Sequence, residues 1–134
     1  EAKEKNITLH VDDHLQDCPL RLDVELMTRA LTNLVHNAIQ WAPDGGEVFL
    51  SGYKAPGEPD WASIRVRDNG AGIQESQRNK LFKLFYSTRK GGNGIGLANV
   101  KKIIEYHGGF VAGGNARERG AVFSILMPIG GPES

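Results

Sequence analysis

Two pairs of strand-like segments are joined by connections too short to hold a crossover helix, and this limits the topologies open to the 134-residue chain more than any other feature. Glu47 to Lys54 and Trp61 to Asp68 flank the turn Ala55-Pro56-Gly57-Glu58-Pro59-Asp60, with Ile64 and Val66 alternating with Arg65 and Arg67. Phe110 to Ala112 and Ala121 to Met127 flank the turn Asn115 to Gly120. Each pair is therefore expected to run antiparallel. Elsewhere the apolar period is helical. From Asp23, an N-cap by residue type, Met27, Leu31, Leu34 and Ala38 recur at three- and four-residue steps until Pro43, Gly45 and Gly46 end the run. Leu97, Val100, Ile103 and Ile104 predict a second long helix that opens near Gly96 and closes at Gly108-Gly109. Gln74 to Leu84 predicts a shorter helix, and Ile7 to Val11 a half-buried strand. The sum is α+β: a two-layer α/β sandwich with a mixed, mainly antiparallel five-stranded sheet and three helices.

One domain over residues 1–134 fits this length, and no internal repeat divides it. Sixteen Lys and Arg against sixteen Asp and Glu leave no formal charge, so neither a nucleic-acid surface nor a polybasic membrane anchor is expected. A bound polyanion has to be held locally. The apolar runs are only a few residues long and Glu1 to Lys5 are highly charged, which predicts no membrane span and no signal peptide. The single cysteine, Cys18, cannot form an internal disulfide and sits in no catalytic pattern, so it reads as a packing residue. A soluble, cytoplasmic chain, or a soluble piece of a longer protein, is the expectation.

Four clusters carry possible chemistry. Asn33 and Asn37, one turn apart on the first long helix, put two amides on one face, and an amide carbonyl is a hard oxygen ligand suited to Mg²⁺. Two amides satisfied by water on a helix surface would read the same way. Asp68-Asn69-Gly70-Ala71-Gly72 follows a strand; a carboxylate there accepts hydrogen bonds only, so it suits the exocyclic amine of adenine and rejects the carbonyl of guanine. An ordinary Asx turn is the alternative. Gly91-Gly92-Asn93-Gly94-Ile95-Gly96-Leu97 runs into a helix, where free amides without side-chain bulk suit phosphate oxygens. It matches neither the dinucleotide fingerprint nor the P-loop, and a flexible glycine hinge remains open. Last, Leu81-Phe82-Lys83-Leu84-Phe85 precedes Tyr86-Ser87-Thr88-Arg89-Lys90, where Phe82 and Phe85 read as core anchors and the two cations as partners for a terminal phosphate or as solvated charges.

In this order the clusters resemble those of the catalytic ATP-binding domain of bacterial sensor histidine kinases of the short-lid type. Asn33 to Asn37 resembles the N box, Asp68 to Gly72 the G1 box, Phe82 to Phe85 the F box and Gly92 to Leu97 the G2 box, while Ile103 to Gly109 matches the usual helix ending. The resemblance spans about residues 6–129. It implies the Bergerat ATP-binding fold, with ATP and Mg²⁺ held between helices under a lid at 86–93. It implies that Asn37 ligates Mg²⁺ and that Asn33 supports the phosphates or the metal. Asp68 would bind adenine with Gly70 and Gly72 beside it, and Ile73 would line the adenine pocket. Gly92, Gly94, Ile95, Gly96 and Leu97 would serve the phosphates, with Thr88, Arg89 and Lys90 of the lid reaching them and Lys90 assisting catalysis beside Asn37. Ser124 would join the hydrogen bonds around Asp68.

Two positions depart from the family pattern: Gln40 and Trp41 stand where many members carry Lys or Arg followed by Tyr. Against that pattern Trp41 would keep the flat apolar contact, and either Arg89 or Lys90 of the lid replaces the missing charge or the triphosphate is held less tightly than is common. Related ATPases place a Glu at the position of Asn33 to activate water; an amide has no usable basicity, which favours transfer over hydrolysis. No histidine here is followed by Glu or Asp, as a phospho-acceptor in this family would be. His10 and His14 read as solvated, and His107 as a helix-dipole partner when protonated. The resemblance thus implies a catalytic domain whose acceptor histidine lies on a separate dimerisation domain, with residues 1–5 as a remnant of its helix. A response regulator would be reached through the parent, and the chain itself would be monomeric. A nucleotide-sensing or partner-binding domain without transfer is the alternative.

Overall fold

The computed structural model describes residues 6–15, 22–55, 58–78, 80, 96–117 and 119–129. Five strands, β1 (Thr8–Asp13), β2 (Glu47–Ala55), β3 (Glu58–Asp68), β4 (Phe110–Asn115) and β5 (Ala121–Pro128), form one sheet in the order β1-β2-β3-β5-β4. Helices α1 (Val24–Trp41) and α3 (Gly96–Tyr106) pack against each other, α1 on β2 and β3 and α3 on β4. The two tight connections give antiparallel pairs, β2 with β3 and β4 with β5, as their lengths require. The one parallel pair, β1 with β2, is the pair whose connection contains α1. Of the expected helix over 74–84 the described residues show α2 (Glu75–Arg78), and residues 79 and 81–95 lie outside the described part.

Residue types explain the element ends. Asp23 caps α1 by accepting the Leu26 N–H on its carboxylate at 3.0 Å. At the end of α3, Gly108 N–H donates to Glu105 O at 3.0 Å and Gly109 N–H to Ile104 O at 2.9 Å, the paired bonds of a Schellman ending. The helix-facing side of the sheet supplies Val48, Val66, Phe123 and Ile125 to a core completed by Leu34, Val100 and Ile104. No helix among the described residues is long and apolar enough to cross a membrane.

Three expectations are corrected. The alternation at 7–11 predicts a half-buried strand, and it does place Leu9 and Val11 beside Val48 and Leu50, yet Leu9 is 49% and Val11 64% exposed. β1 is an edge strand, and α1 lies over β2 and β3, so the apolar period names a face that the helices do not cover. β4 runs on to Asn115 past the expected end at Ala112, because its ladder with β5 uses backbone groups that Gly113 and Gly114 supply as well as any residue. His107, expected as a dipole partner at the helix end, is buried and serves as a bridge between two helices. Its Nε2 accepts the Asp23 N–H at 2.9 Å, which leaves Nδ1 to donate to Ile103 O at 2.8 Å and pins the start of α1 to the end of α3. His10 and His14 are exposed as expected, within reach of Glu47 and Asp12.

Candidate functional site

Helix α1 carries both ends of the site. Asn37 is buried and Asn33 half-buried, and Asn33 Nδ2 donates to Gly96 O at 3.5 Å, which sets the amide pair against the first residue of α3. There the first N–H groups of α3 have no acceptor within the helix. Among the described residues, a Cβ at Gly96 would meet no atom within 4 Å. Leu97, the next residue, packs on the core. Gln40 Nε2 lies 3.4 Å from His36 Nε2 on the same helix.

Trp41 is eight residues beyond Asn33, about 12 Å along the helix axis. Its ring packs on Phe123 with centroids 6.0 Å apart. The loop after β3 docks here: a Cβ at Gly70 would fall on the Trp41 carbonyl oxygen, so only glycine lets the loop meet the end of α1 this closely. Gly72, at φ +91°, turns the chain in the left-handed region that side chains disfavour and sends Ile73 into the core.

Asp68 ends β3 on the helix-facing side and is 1% exposed. Its Oδ1 accepts the Gly70 N–H at 2.7 Å and the Ala121 N–H at 3.3 Å. Burial pushes its pKa above the usual carboxylate value; the two N–H groups and the Arg67 charge pull the other way without cancelling it. Among the described residues no group donates to Oδ2. A buried carboxylate with one oxygen fixed by backbone and one uncommitted is an acceptor for a ligand N–H.

The structure thus brings Asn33, Asn37, Gly96 and Leu97 together at one end and Trp41, Asp68, Gly70, Gly72 and Ile73 at the other. Ser124 does not join them. It pairs with Arg65 and Ala112 on the face of the sheet turned away from the helices, whereas Asp68 shares the helix-facing side with Val48 and Val66. The residue that reaches Asp68 from β5 is Ala121, through its backbone N–H. Thr88, Arg89, Lys90, Gly92, Gly94 and Ile95, like Phe82 and Phe85, lie outside the described residues.

Two contributors had no sequence signal beyond their turn. Asn115 clamps the backbone of Ile73, its Oδ1 accepting the Ile73 N–H at 2.7 Å and its Nδ2 donating to Ile73 O at 3.0 Å. Arg119 donates from Nε to Gly70 O at 3.1 Å.

The site's chemistry fits a divalent cation of the hard class. The Asn37 amide oxygen is a hard donor, and Mg²⁺ keeps most of its waters and shares phosphate oxygens, so it needs few protein ligands. No cluster of three His, Cys, Asp or Glu side chains occurs among the described residues.

Residues 22–131 match the family described as histidine kinase-, DNA gyrase B- and HSP90-like ATPase. The chain belongs to this family. Within it, both sequence and fold are those of sensor histidine kinase catalytic domains. The chain is 36% identical over 131 residues to the alginate biosynthesis sensor protein KinB of Pseudomonas aeruginosa, covering 96% of this chain and 21% of that protein. The nucleotide-free catalytic domain of histidine kinase ThkA superposes with a TM-score of 0.84 at 29% identity, covering 96% of this chain and 82% of the other. ThkA complexed with the response regulator protein TrrA gives 0.78 at 27% identity, covering 96% and 36%. Full-length ShkA with bound AMPPNP gives 0.79 at 27% identity, covering 99% and 28%. The chain spans about a fifth or less of the length of KinB and of the sensor histidine kinase TmoS of Ectopseudomonas mendocina.

Proposed function

We propose that the chain binds Mg²⁺·ATP and transfers the γ-phosphoryl group to a histidine on a separate dimerisation domain of a longer sensor kinase. The observation that carries this reading is Asp68: a buried carboxylate with Oδ1 fixed by two backbone N–H groups and Oδ2 aimed at no protein donor among the described residues. Such a group accepts the adenine amine and repels the guanine carbonyl. Ile73 and Trp41 supply apolar contact to the base. About 12 Å along α1, Asn33, Asn37 and the first N–H groups of α3 face the place of the phosphates. Asn37 would hold Mg²⁺, which when bound neutralises developing charge on the phosphoryl oxygens.

The chain's own part in the reaction is positioning and charge neutralisation. Asn33 lacks the basicity to deprotonate water, so the site favours transfer to an external nucleophile over hydrolysis. Lid residues Thr88, Arg89 and Lys90 would approach the transferred group and replace the cation absent at Gln40; Gly92, Gly94 and Ile95 would complete the phosphate loop. The AMPPNP bound by ShkA supports nucleotide binding, and the ThkA–TrrA complex supports a response regulator as the downstream partner of the parent. Kinase relatives over nearly the whole chain favour transfer over a domain that only senses nucleotide or binds a partner. The chain itself would act as a monomer in the cytoplasm.

Calorimetric titration with ATP and GTP, each with and without Mg²⁺, tests the reading. Mg²⁺-dependent binding of ATP in preference to GTP is the expected result. A folded sample that binds neither, or both alike, refutes it.

A further inference from the structure

The turn between β4 and β5 grips the adenine-side loop at three points spread over six residues. Asn115 closes a two-bond clamp on the Ile73 backbone, at 2.7 and 3.0 Å. Arg119 Nε holds Gly70 O at 3.1 Å, and Ala121 N–H holds Asp68 Oδ1 at 3.3 Å. Loop and turn are more than forty residues apart in sequence, yet every second or third residue from Asp68 to Ile73 is tied to this one hairpin. Burial of apolar surface does not explain Asn115 and Arg119, since both residues are exposed. The bonds they make go to backbone groups of the segment that reads the base.

Asn115 is the firmer of the two. A primary amide offers one acceptor and two donors in a plane, and here one of each meets the N–H and C=O of the same residue, as a neighbouring strand would. Gly72 leaves no freedom beside it: a Cβ there would lie 2.8 Å from Asn115 Oδ1. The clamp therefore fixes where Ile73 enters the core relative to Asp68, five residues earlier, and these are the two residues that bracket the base in the proposed site.

We infer that Asn115 is a positioning residue for adenine recognition, acting through the Ile73 backbone, with Arg119 as a weaker second tie at Gly70. This rests on the proposed role of Asp68 in base reading. It makes base selectivity a property of the β4–β5 turn as well as of the loop that touches the ligand. A residue that only stabilised the fold would lower the affinity for every nucleotide alike; a residue that aligns Asp68 with Ile73 lowers it for ATP and leaves GTP, which cannot use the carboxylate, little changed.

The test is calorimetric titration of the full chain and its Asn115→Ala, Asn115→Asp, Arg119→Ala and Asp68→Asn variants with ATP and with GTP, each sample first shown to be folded by circular dichroism. Two neutral hydrogen bonds are lost in Asn115→Ala, so ATP binding is expected to weaken about tenfold with GTP binding unchanged. Asn115→Asp keeps an acceptor for the Ile73 N–H but turns a second acceptor toward Ile73 O, and shifts the ratio in the same direction; it decides the matter if the alanine variant does not fold. Arg119→Ala shifts the ratio less. An ATP-to-GTP ratio unchanged in both Asn115 variants, or an equal loss for the two nucleotides, overturns the inference while Asp68→Asn still shows the site to be the nucleotide site. If Asp68→Asn also leaves the ratio unchanged, the reading of the site falls, and the inference with it.

Discussion

Replacing Asp68 by Asn separates what that residue does for the ligand from what it does for the fold. The side chains have the same shape, and an amide Oδ1 accepts the Gly70 and Ala121 N–H groups as the carboxylate does. Only the charge and the acceptor on the second atom are lost. A hydrogen bond to a charged group contributes about 1.5–3 kcal/mol, so ATP is expected to bind roughly tenfold to a hundredfold more weakly to Asp68→Asn. Stability moves the other way. Burial holds the Asp68 pKa above its unfolded value, so the folded chain binds this proton more tightly than the unfolded chain. The stability that Asp68 contributes is then fully present below the unfolded pKa and is lost as pH rises through the raised folded pKa. Near neutral pH the buried charge is a cost, and Asp68→Asn removes it: its Tm should equal or exceed that of the parent. As the pH is lowered through the raised pKa, the parent should lose its ATP advantage over the variant. Calorimetry and thermal unfolding across pH check both halves. A variant with parental ATP affinity and a Tm several degrees lower would refute the reasoning, because it would make Asp68 a structural anion held by its two N–H groups.

Asn37→Ala should abolish the enhancement of ATP binding by Mg²⁺ while ATP without metal binds as before, measured by titration with and without EDTA. Gly70→Ala drives a methyl group onto the Trp41 carbonyl and should destabilise the chain by about 1–3 kcal/mol, read from urea unfolding. Leu34→Ala, at a fully buried core position, should cost about 2–5 kcal/mol in the same assay. Val11→Thr on the exposed edge strand should change stability by less than about 0.5 kcal/mol.

The sequence made the helices and hairpins readable because each depends on short-range rules: Asp23 and Gly108–Gly109 mark helix ends, and the turns at 55–60 and 115–120 are too short for a crossover. Asp68 was readable as a strand-end carboxylate beside glycines. What failed to show depends on which layer covers which strand. The period at 7–11 gives the face of Leu9 and Val11 but not the reach of α1, which stops over β2. Ser124 is one residue from Phe123, and that single step moves it to the opposite face from Asp68. Counting from Asp68 across the β3–β5 register places Ala121 beside it, but the register is known only once the strands pair. Asn115 and His107 act through side chain to backbone bonds across 42 and 84 residues, and no periodicity records such contacts.

Transfer itself is the central claim, and it is tested by incubating the chain with ATP labelled at the γ-phosphate, Mg²⁺ and the purified dimerisation domain of its parent. Label on that domain, stable to alkali and lost in acid as a phosphohistidine is, and absent with Asn37→Ala, is the result the account predicts. ATP bound tightly with no label on any histidine, or label released only as free phosphate, would contradict it.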